Sequence, residues 1–598
     1  MSFSNVIFDI ETDGFLDVCT KIHCLVLMDA DTEEIRSYAD KPGYPSINEG
    51  LTLLWQADML IGHNIICFDI PCIEKIYPDW KWTGDIFDTL NISRLIYSNM
   101  LSVDFKFKFR SLPIGMYGRH SLASWGLRLG IMKGDYSDGW EKWSKAMQDY
   151  CVQDVVVNKA VYDKLLSKDY SKRAIALEHA FQIYIHRQET IGVPFNVTAA
   201  EQLQEELQPQ MAEDKIKLKR IVGDIIEKKE FIPKRDNSTL GYLKGVPFIK
   251  EKRTPFNPNS RPQIVRFLKA KYKWNPTDFT DKGNPTVGRA VLEKLTDWPE
   301  VEPIMLYLDM AKLSGQLYTG KNAWLKLQKD GRIHGGVITN GAITGRCTHS
   351  RPNLGQVPSI RSYKGEECRQ LFYAPEGFKM VGTDAAGLEL RMFAHYLAPF
   401  DSGRYGSIVT EGDVHTSNQQ AAELTERDDA KTFIYAYLYG AGDAKLGSIA
   451  EPKASESRQR EVGAELRRKF LTRTKGLADL IGQVQNIFRT RRYLVGLDGR
   501  LLYPRSAHSA LNTLLQGAGA VVMKESTVLA AEQLRAKCIP YQPALHVHDE
   551  MQMIVADEYA EEAGQICVEA IRESGITLNV KCPLDAEAKI GKTWAETH

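Results

Sequence analysis

The chain has 598 residues, enough for several domains with separate cores, and its 43% hydrophobic and 25% charged content is that of an ordinary globular protein. Its 76 basic residues balance 76 acidic ones, so a polyanion could be gripped only by charge separated in space, not by a net excess. No apolar run is long enough to span a bilayer. The ten cysteines include no Cys-x-x-Cys pair, which disfavours a disulfide framework or zinc site and favours free thiols in a reducing compartment. The segment Met1 to Asn5 leads directly into a strand, leaving no room for a signal peptide. The expected location is the cytoplasm.

Along the chain, residues 1–167 open with the strand Asn5-Val-Ile-Phe-Asp9-Ile-Glu11 and continue with mixed strand and helix patterns. Asp9 and Glu11 are two apart, so on a strand their carboxylates share one side. His63-Asn64-Ile-Ile-Cys-Phe68-Asp69 adds a third acid, and Tyr150-Cys-Val-Gln-Asp154 sets a phenol and a fourth acid on one helical face. Asp88, in Asp-Thr-Leu, reads as structural. The character changes near Leu166–Lys172 to long helical stretches over 168–330, interrupted from Phe231 to Pro262 by a passage rich in Gly, Pro and Lys.

Residues 331–410 return to strands and turns. There Asp384 closes the apolar run Met380-Val-Gly-Thr just ahead of a helix. In the helical segment 411–492, Arg427, Lys431, Tyr435 and Tyr439 recur every four residues and form one stripe. Thr425 can cap that helix with Asp428 as its capping-box acid, and Gly440 suits its end. Two cations followed by two rings make a poor core face but a good surface for a nucleoside triphosphate, with phosphates at the cations and sugar and base at the rings. In the last segment, 493–598, Asp549 sits at the tip of a strand–turn–strand from Ala544 to Val555. Two strand-end aspartates suit the divalent cation pair that phosphoryl transfer to a hydroxyl requires.

These segments together resemble the family A DNA polymerases. Arg427 to Gly440 is similar to motif B, Val381-Gly-Thr-Asp384-Ala385-Ala-Gly-Leu-Glu389-Leu-Arg391 to motif A, and His546-Val-His548-Asp549-Glu550 to motif C. Thr339 to Arg346, Gly412-Asp-Val-His415 and Leu511-Asn512-Thr-Leu-Leu-Gln516 bring the likeness closest to the replicative polymerases of T-odd short-tailed phages. The acids Asp9, Glu11, Asp69 and Asp154 with Tyr150 resemble the DEDD exonuclease motifs of the Tyr subtype.

The resemblance implies an α/β multidomain fold: an RNase H-like 3′–5′ exonuclease domain over 1–167, then thumb and connecting helices over 168–330. Palm segments over 331–410 and 493–598 would flank fingers over 411–492. It implies two Mg2+ per site, held by Asp384, Asp549 and the Ala385 carbonyl in one, and by Asp9, Glu11, Asp69 and Asp154 in the other. Arg427, Lys431, His415, Tyr435 and Glu389 would bind the incoming nucleotide. Arg346, Tyr439, Asn512, Gln516 and His548 would meet the DNA, with Arg346, Gln516 and His548 checking minor-groove acceptors common to every correct pair. Glu550 would lie near the metals without binding them.

Expected partners are primer–template DNA, deoxynucleoside triphosphates and a replicative helicase–primase, with the chain a monomer in a host bacterial cytoplasm. Only about thirty residues separate the thumb helices near 225 from Phe256. That is too short for the independent module, of at least ~40 residues, through which the phage relatives recruit thioredoxin, so thioredoxin is not expected. Lys215–Arg220, Arg467–Lys475 and Arg489–Arg492 are candidate basic faces for DNA. A bare nuclease and a non-catalytic replisome scaffold are the rival readings, and both are disfavoured by complete acid sets at two sites.

Overall fold

The computed structural model describes residues 3–598 apart from 277–278, 281–282 and 453. Met1 and Ser2, the start of the segment read as excluding a signal peptide, lie outside the described residues. The N-terminal unit is built on a five-stranded sheet in the order Ile35–Tyr38, Ile22–Asp29, Asn5–Thr12, Met59–Gly62, Asp85–Asp88. Asn5–Thr12 pairs antiparallel with Ile22–Asp29 and parallel with Met59–Gly62. Ile22–Asp29 is buried at every residue, as a strand covered on both faces must be. Lys145–Leu166 packs Met147, Cys151 and Val155 against Ile7, Cys24 and Val26, while Ile47–Trp55 packs Leu51 and Leu54 against Val6, Phe8 and Leu25. Asp88 is buried and caps the next helix, its carboxylate accepting from the backbone N–H groups of Leu90, Asn91, Asn64 and Ile66.

The helix Lys172–Ile191 joins this unit to the rest. Ser171 caps its start and Gly192, at φ 68°, ends it, a conformation in which a Cβ would be strained. Its His179 Nε2 accepts from the Asp88 N–H at 3.1 Å. Its Gln182 Oε1 accepts from both Asn91 Nδ2 and Thr339 Oγ1 at 3.0 Å.

The second sheet has four antiparallel strands in the order Tyr541–Val547, Glu550–Ala556, Phe378–Ala385, Ala586–Gly591. Ala560–Thr577 lies on it, and the 27-residue helix Ala510–Ala536 packs behind. Helices over 414–491 share one core with the sheet and with Ala510–Ala536, while Val197–Val222 packs into a second cluster.

Two sequence expectations change. The motif helix spans Arg427–Leu438 with Glu426 at its N-cap and no side-chain cap bond. Thr425 is therefore not the cap, because the chain enters helical geometry two residues later; Gly440 follows the end at φ 76° as expected. The interruption expected from Phe231 begins earlier and is ordered: Asp224–Phe231 and Phe248–Pro255 pair in unbroken antiparallel register. All ten cysteines are free, seven of them buried and only Cys538 exposed.

Candidate active sites

The four-stranded sheet brings its acids together by register. Asp384, at the end of Phe378–Ala385, lies opposite Glu550. The hairpin turn holds Asp549, whose carbonyl accepts from the Ala385 N–H at 3.1 Å. That turn holds His548 at φ 56°, a left-handed conformation that few non-glycine residues adopt and that histidine tolerates better than most. Asp384 faces the cleft, yet its carboxyl is pushed up to about 7, first by lost solvation and then by Asp549 and Glu550. Asp549 is raised too, by burial and then by Glu389. No lysine or arginine pairs with either aspartate among the described residues, so two repelling oxygen donors share one place, the donor set that hard divalent cations take.

Glu550 is differently situated. Burial opposes its ionisation, but bonds from His598, Gln552 and Trp594 overcome that and hold its carboxyl below the usual range. Trp594 Nε1 donates to Oε1 at 2.6 Å and His598 Nδ1 lies 2.9 Å from Oε2. The C-terminal residues thus brace the motif C hairpin, and both Glu550 oxygens already have a partner there.

On the motif helix, Arg427 is not a free cation. Asp413 grips it through two bonds of 2.9 and 3.0 Å and also caps the helix bearing His415. The Arg427 bond is the main reason the Asp413 carboxyl sits far below its ordinary range. Lys431, one turn on, is exposed and unpaired among the described residues. The His415 Nδ1 is buried without a partner, and burial followed by the fields of Arg427 and Lys431 pushes its ring below the usual histidine range. Tyr435 is half-buried; burial, then Glu389 and Asp549, raise its hydroxyl to about 12.

Glu389 receives the Tyr439 hydroxyl at 2.7 Å and Arg346 Nη2 at 3.3 Å. Arg346 and His548 line one small cavity with His349, Lys524 and His546. Asn512 lines another beside Gly440, and Gln516 follows one turn later, half-buried on the same helix face.

Of the candidate basic faces, Arg467, Arg468, Lys469 and Arg473 are consumed in ion pairs with Asp443, Glu465 and Glu423. Those four pairs tie neighbouring helices together, and only Lys475 of that stretch is exposed without an ion pair among the described residues. Arg489, Arg491 and Arg492 have no ion pair among the described residues.

The N-terminal site assembles from three elements. Asp9 and Glu11 share one face of their strand, and their oxygens lie with Cys151 Sγ inside a 4.8 Å cluster. Asp69 begins its helix and accepts from the Ile10 N–H at 3.3 Å. Tyr150 and Asp154 stand one turn apart on Lys145–Leu166. Burial, as the first cause in each, raises Asp9 well above its ordinary range, Glu11 to about 8, Asp69 to about 7 and Asp154 to about 6. Asp154 Oδ1 is buried without a partner. Four such carboxyls with an orphaned oxygen fit divalent cations.

Sequence reasoning missed Lys133. Its ammonium lies 2.6 Å from Asp154 Oδ2 and 4.7 Å from the centre of the Tyr150 ring. It is a loop lysine twenty-one residues before Asp154, and no local pattern marks it.

The family model described as DNA polymerase family A matches residues 246–596, and that of the RNase_H superfamily matches residues 6–166. The chain belongs to DNA polymerase family A, with an RNase H-like exonuclease domain ahead of the polymerase domain, and is a DNA-directed DNA polymerase. It is 35% identical to the DNA-directed DNA polymerase of Enterobacteria phage T3, and equally to that of Escherichia phage T7. Both alignments cover 99% of this chain and 100% of the relative. The POL domain of Pol1 from M. smegmatis, solved in complex with DNA primer-template and dNTP, superposes with a TM-score of 0.74 at 19% identity. That match covers 99% of this chain and 95% of the other, and shows a shared fold.

Proposed function

We propose that this polymerase is a proofreading, replicative enzyme that extends a primer 3′ end and removes mispaired 3′ nucleotides at a second site. The observation that carries the reading is two complete acid clusters in two separate units, one at Asp384 and Asp549, the other at Asp9, Glu11, Asp69 and Asp154. Each would hold two Mg2+, with the Ala385 carbonyl added at the first. The cations would supply the charge that activates the attacking oxygen and stabilises the leaving one.

The rest of the work falls to side chains. Lys431, His415 and Arg427 meet the incoming phosphates, and Arg427 must then be shared with Asp413. Tyr435 lies under the sugar, while Glu389 limits the room at its 2′ carbon. Arg346, Tyr439, Asn512, Gln516 and His548 test the shape of the nascent pair and primer end. In the other site Tyr150 orients the attacking water. Primer–template and deoxynucleotides are the substrates, a helicase–primase the working partner, and a host bacterial cytoplasm the setting.

Separating the activities tests this. Asp9→Ala with Glu11→Ala should abolish 3′-end degradation and leave extension intact, whereas Asp384→Asn or Asp549→Asn should do the reverse. Loss of both activities from either set, in a normally folded protein, would refute the two-site assignment.

A further inference from the structure

The junction between the two units is held by a polar trio that neither catalytic site uses. Asn91 stands in the first turn of Thr89–Ile96, a helix of the N-terminal unit. Gln182 stands midway along the joining helix Lys172–Ile191, and Thr339 follows directly on the short strand Gly336–Ile338 of the polymerase unit. Asn91 Nδ2 donates to Gln182 Oε1 at 3.0 Å and to Thr339 Oγ1 at 3.1 Å. Thr339 Oγ1 donates in turn to Gln182 Oε1 at 3.0 Å. The Asn91 Oδ1 has no partner among the described residues, so every bond that this amide makes goes to the other two side chains.

Asn91, Gln182 and Thr339 are only 3, 6 and 0% exposed. Buried polar groups cost stability unless they bond, so adhesion alone would be served as well by apolar residues. What a bonded trio adds is fixed geometry, because each bond is directional and shielded from competing water. Gln182 has a second duty, since its Nε2 donates to Cys67 Sγ at 3.3 Å, two residues ahead of Asp69. The side chains of Asn91 and Thr339 bond only within the trio.

Thr339 opens the loop that carries Arg346. Gly336–Ile338 pairs antiparallel with Thr348–Ser350, and the Ala342 N–H closes the turn on the Arg346 carbonyl at 3.2 Å. The Thr339 carbonyl accepts from Lys524 Nζ at 2.9 Å and lies 3.7 Å from Sγ of Cys347, the residue next to Arg346. Thr339 is thus gripped on both sides, its hydroxyl by the N-terminal unit and the joining helix, its carbonyl by the helix Ala510–Ala536. At the other end of the loop Arg346 Nη2 reaches Glu389 Oε1 at 3.3 Å.

We propose that Asn91, in the exonuclease unit, is a positioning residue of the polymerase site: through Thr339 it holds the loop that aims Arg346 at the primer terminus. It touches no substrate itself. The N-terminal unit therefore does more than edit, because its contact with the palm sets how sharply extension separates matched from mispaired primer ends. The inference rests on the reading of Arg346 as a group that tests the nascent pair. An Arg346 held in place donates to acceptors that correct pairs share, whereas a mispair displaces those acceptors and forfeits the bond. Loosening the loop should slow matched extension and leave mispaired extension alone. Lys524 keeps its own hold on the Thr339 carbonyl, so the effect is graded rather than total.

The test uses the full chain in an Asp9→Ala, Glu11→Ala background, where mispaired ends survive to be extended. Single-turnover extension from matched and mispaired ends is compared in Asn91→Leu, Thr339→Val and their double variant. Each single change should lower the matched-to-mispaired ratio about three- to tenfold, the effect of losing one buried hydrogen bond. The double variant should fall no further than the stronger single one, because both act through the same loop. Thr339→Ser, which keeps the hydroxyl, should hold most of the ratio. With Asp9 and Glu11 intact, Asn91→Leu should degrade single strands at the normal rate. An unchanged ratio in Asn91→Leu, additive losses in the double variant, equal slowing on both primer ends, or a matching loss of single-strand degradation would overturn the proposal. Arg346→Ala separates it from the reading beneath it. A normal ratio in that protein would refute both, whereas a lowered ratio there beside a normal one in Asn91→Leu would refute the proposal alone. Asn91→Ser decides the matter should Asn91→Leu fail to fold.

Discussion

Tyr439 holds Glu389: its hydroxyl donates a 2.7 Å bond to Oε1, from the far end of the motif helix to the first turn of the helix after Asp384. Arg346 reaches the same oxygen at 3.3 Å. Two donors from different parts of the chain thus fix a carboxylate beside the place assigned to the nucleotide sugar. The ring one turn nearer Lys431, Tyr435, feels Glu389 only through its field. Glu389→Ala should admit ribonucleotides, lowering discrimination about ten- to a hundredfold. Tyr439→Phe should lower it less, since Arg346 remains. Competition between ribo- and deoxynucleotides at one template position measures both, and unchanged discrimination in Glu389→Ala would remove Glu389 from the sugar pocket.

Tyr435 should decide the fate of dideoxynucleotides. A normal substrate brings a 3′-hydroxyl that can bond its own phosphates, and the phenol can replace that group when it is missing. The present enzyme should therefore accept dideoxynucleotides readily, and Tyr435→Phe should disfavour them about ten- to a hundredfold. A Tyr435→Phe protein that is less stable but equally tolerant would make Tyr435 an ordinary core residue.

Lys133 should matter to 3′-end removal alone. Taking its ammonium away leaves both Asp154 oxygens unpartnered and Tyr150 without its cation. Lys133→Ala should slow removal about ten- to a hundredfold, Lys133→Arg should recover part of the rate, and primer extension should be untouched. A lower melting temperature with an unchanged removal rate at saturating magnesium would make Lys133 purely structural.

Acid should destabilise the N-terminal unit, including its contact with the joining helix Lys172–Ile191. Burial, first among the causes, holds His63 and His120 down to about 3 and His179 down to about 4, while in the unfolded chain they titrate near 6.5. The unfolded state therefore binds more protons between these values. Stability is complete above pH 6.5 and is lost as the pH falls toward 4, on the order of 3 kcal/mol for each histidine. The raised carboxyls of the exonuclease site act in the opposite sense in metal-free protein, losing stability as pH rises through 6 to 8, so the series is best run with saturating magnesium. Denaturant midpoints at pH 7.5 and 5 should differ less for His179→Gln, whose amide oxygen can still accept from the Asp88 N–H. Identical slopes in the two proteins would show that His179 is not buried neutral.

Reduced thioredoxin should not lengthen single-encounter products. The ribbon from Asp224 to Pro255 is a two-stranded arm with a small aromatic cluster of its own, not a separate module. A large gain in product length on adding thioredoxin would overturn this.

The sequence alone carried the family and the order of the two matched units, and it pointed to acids that the structure gathers into two clusters. That is because phosphoryl transfer demands carboxylates and cations at spacings set by strands and helices. Asp9 and Glu11, or Arg427 and Lys431, are neighbours through local geometry, so a period of two or of four reveals them. What depended on contacts across the chain stayed hidden. The Asp413 grip on Arg427, the Lys133 ammonium on Asp154 and the Glu389–Tyr439 bond join residues with no periodic relation. Nothing in a string of letters records that a cation is already engaged.

The same holds for Glu178, Arg500 and Lys524. They read as ordinary helix and loop charges, yet their side chains are almost wholly buried in one cluster, with Glu178 2.8 Å from Arg500 and 2.6 Å from Lys524. Lys524 also donates to the Thr339 carbonyl at 2.9 Å, bracing the loop that carries Arg346. Charges survive such burial only when each is paired. The sequence therefore determined which chemical groups the protein has, while tertiary structure alone decided which of them are free to meet a substrate, because desolvation and pairing are settled by neighbours distant in the chain.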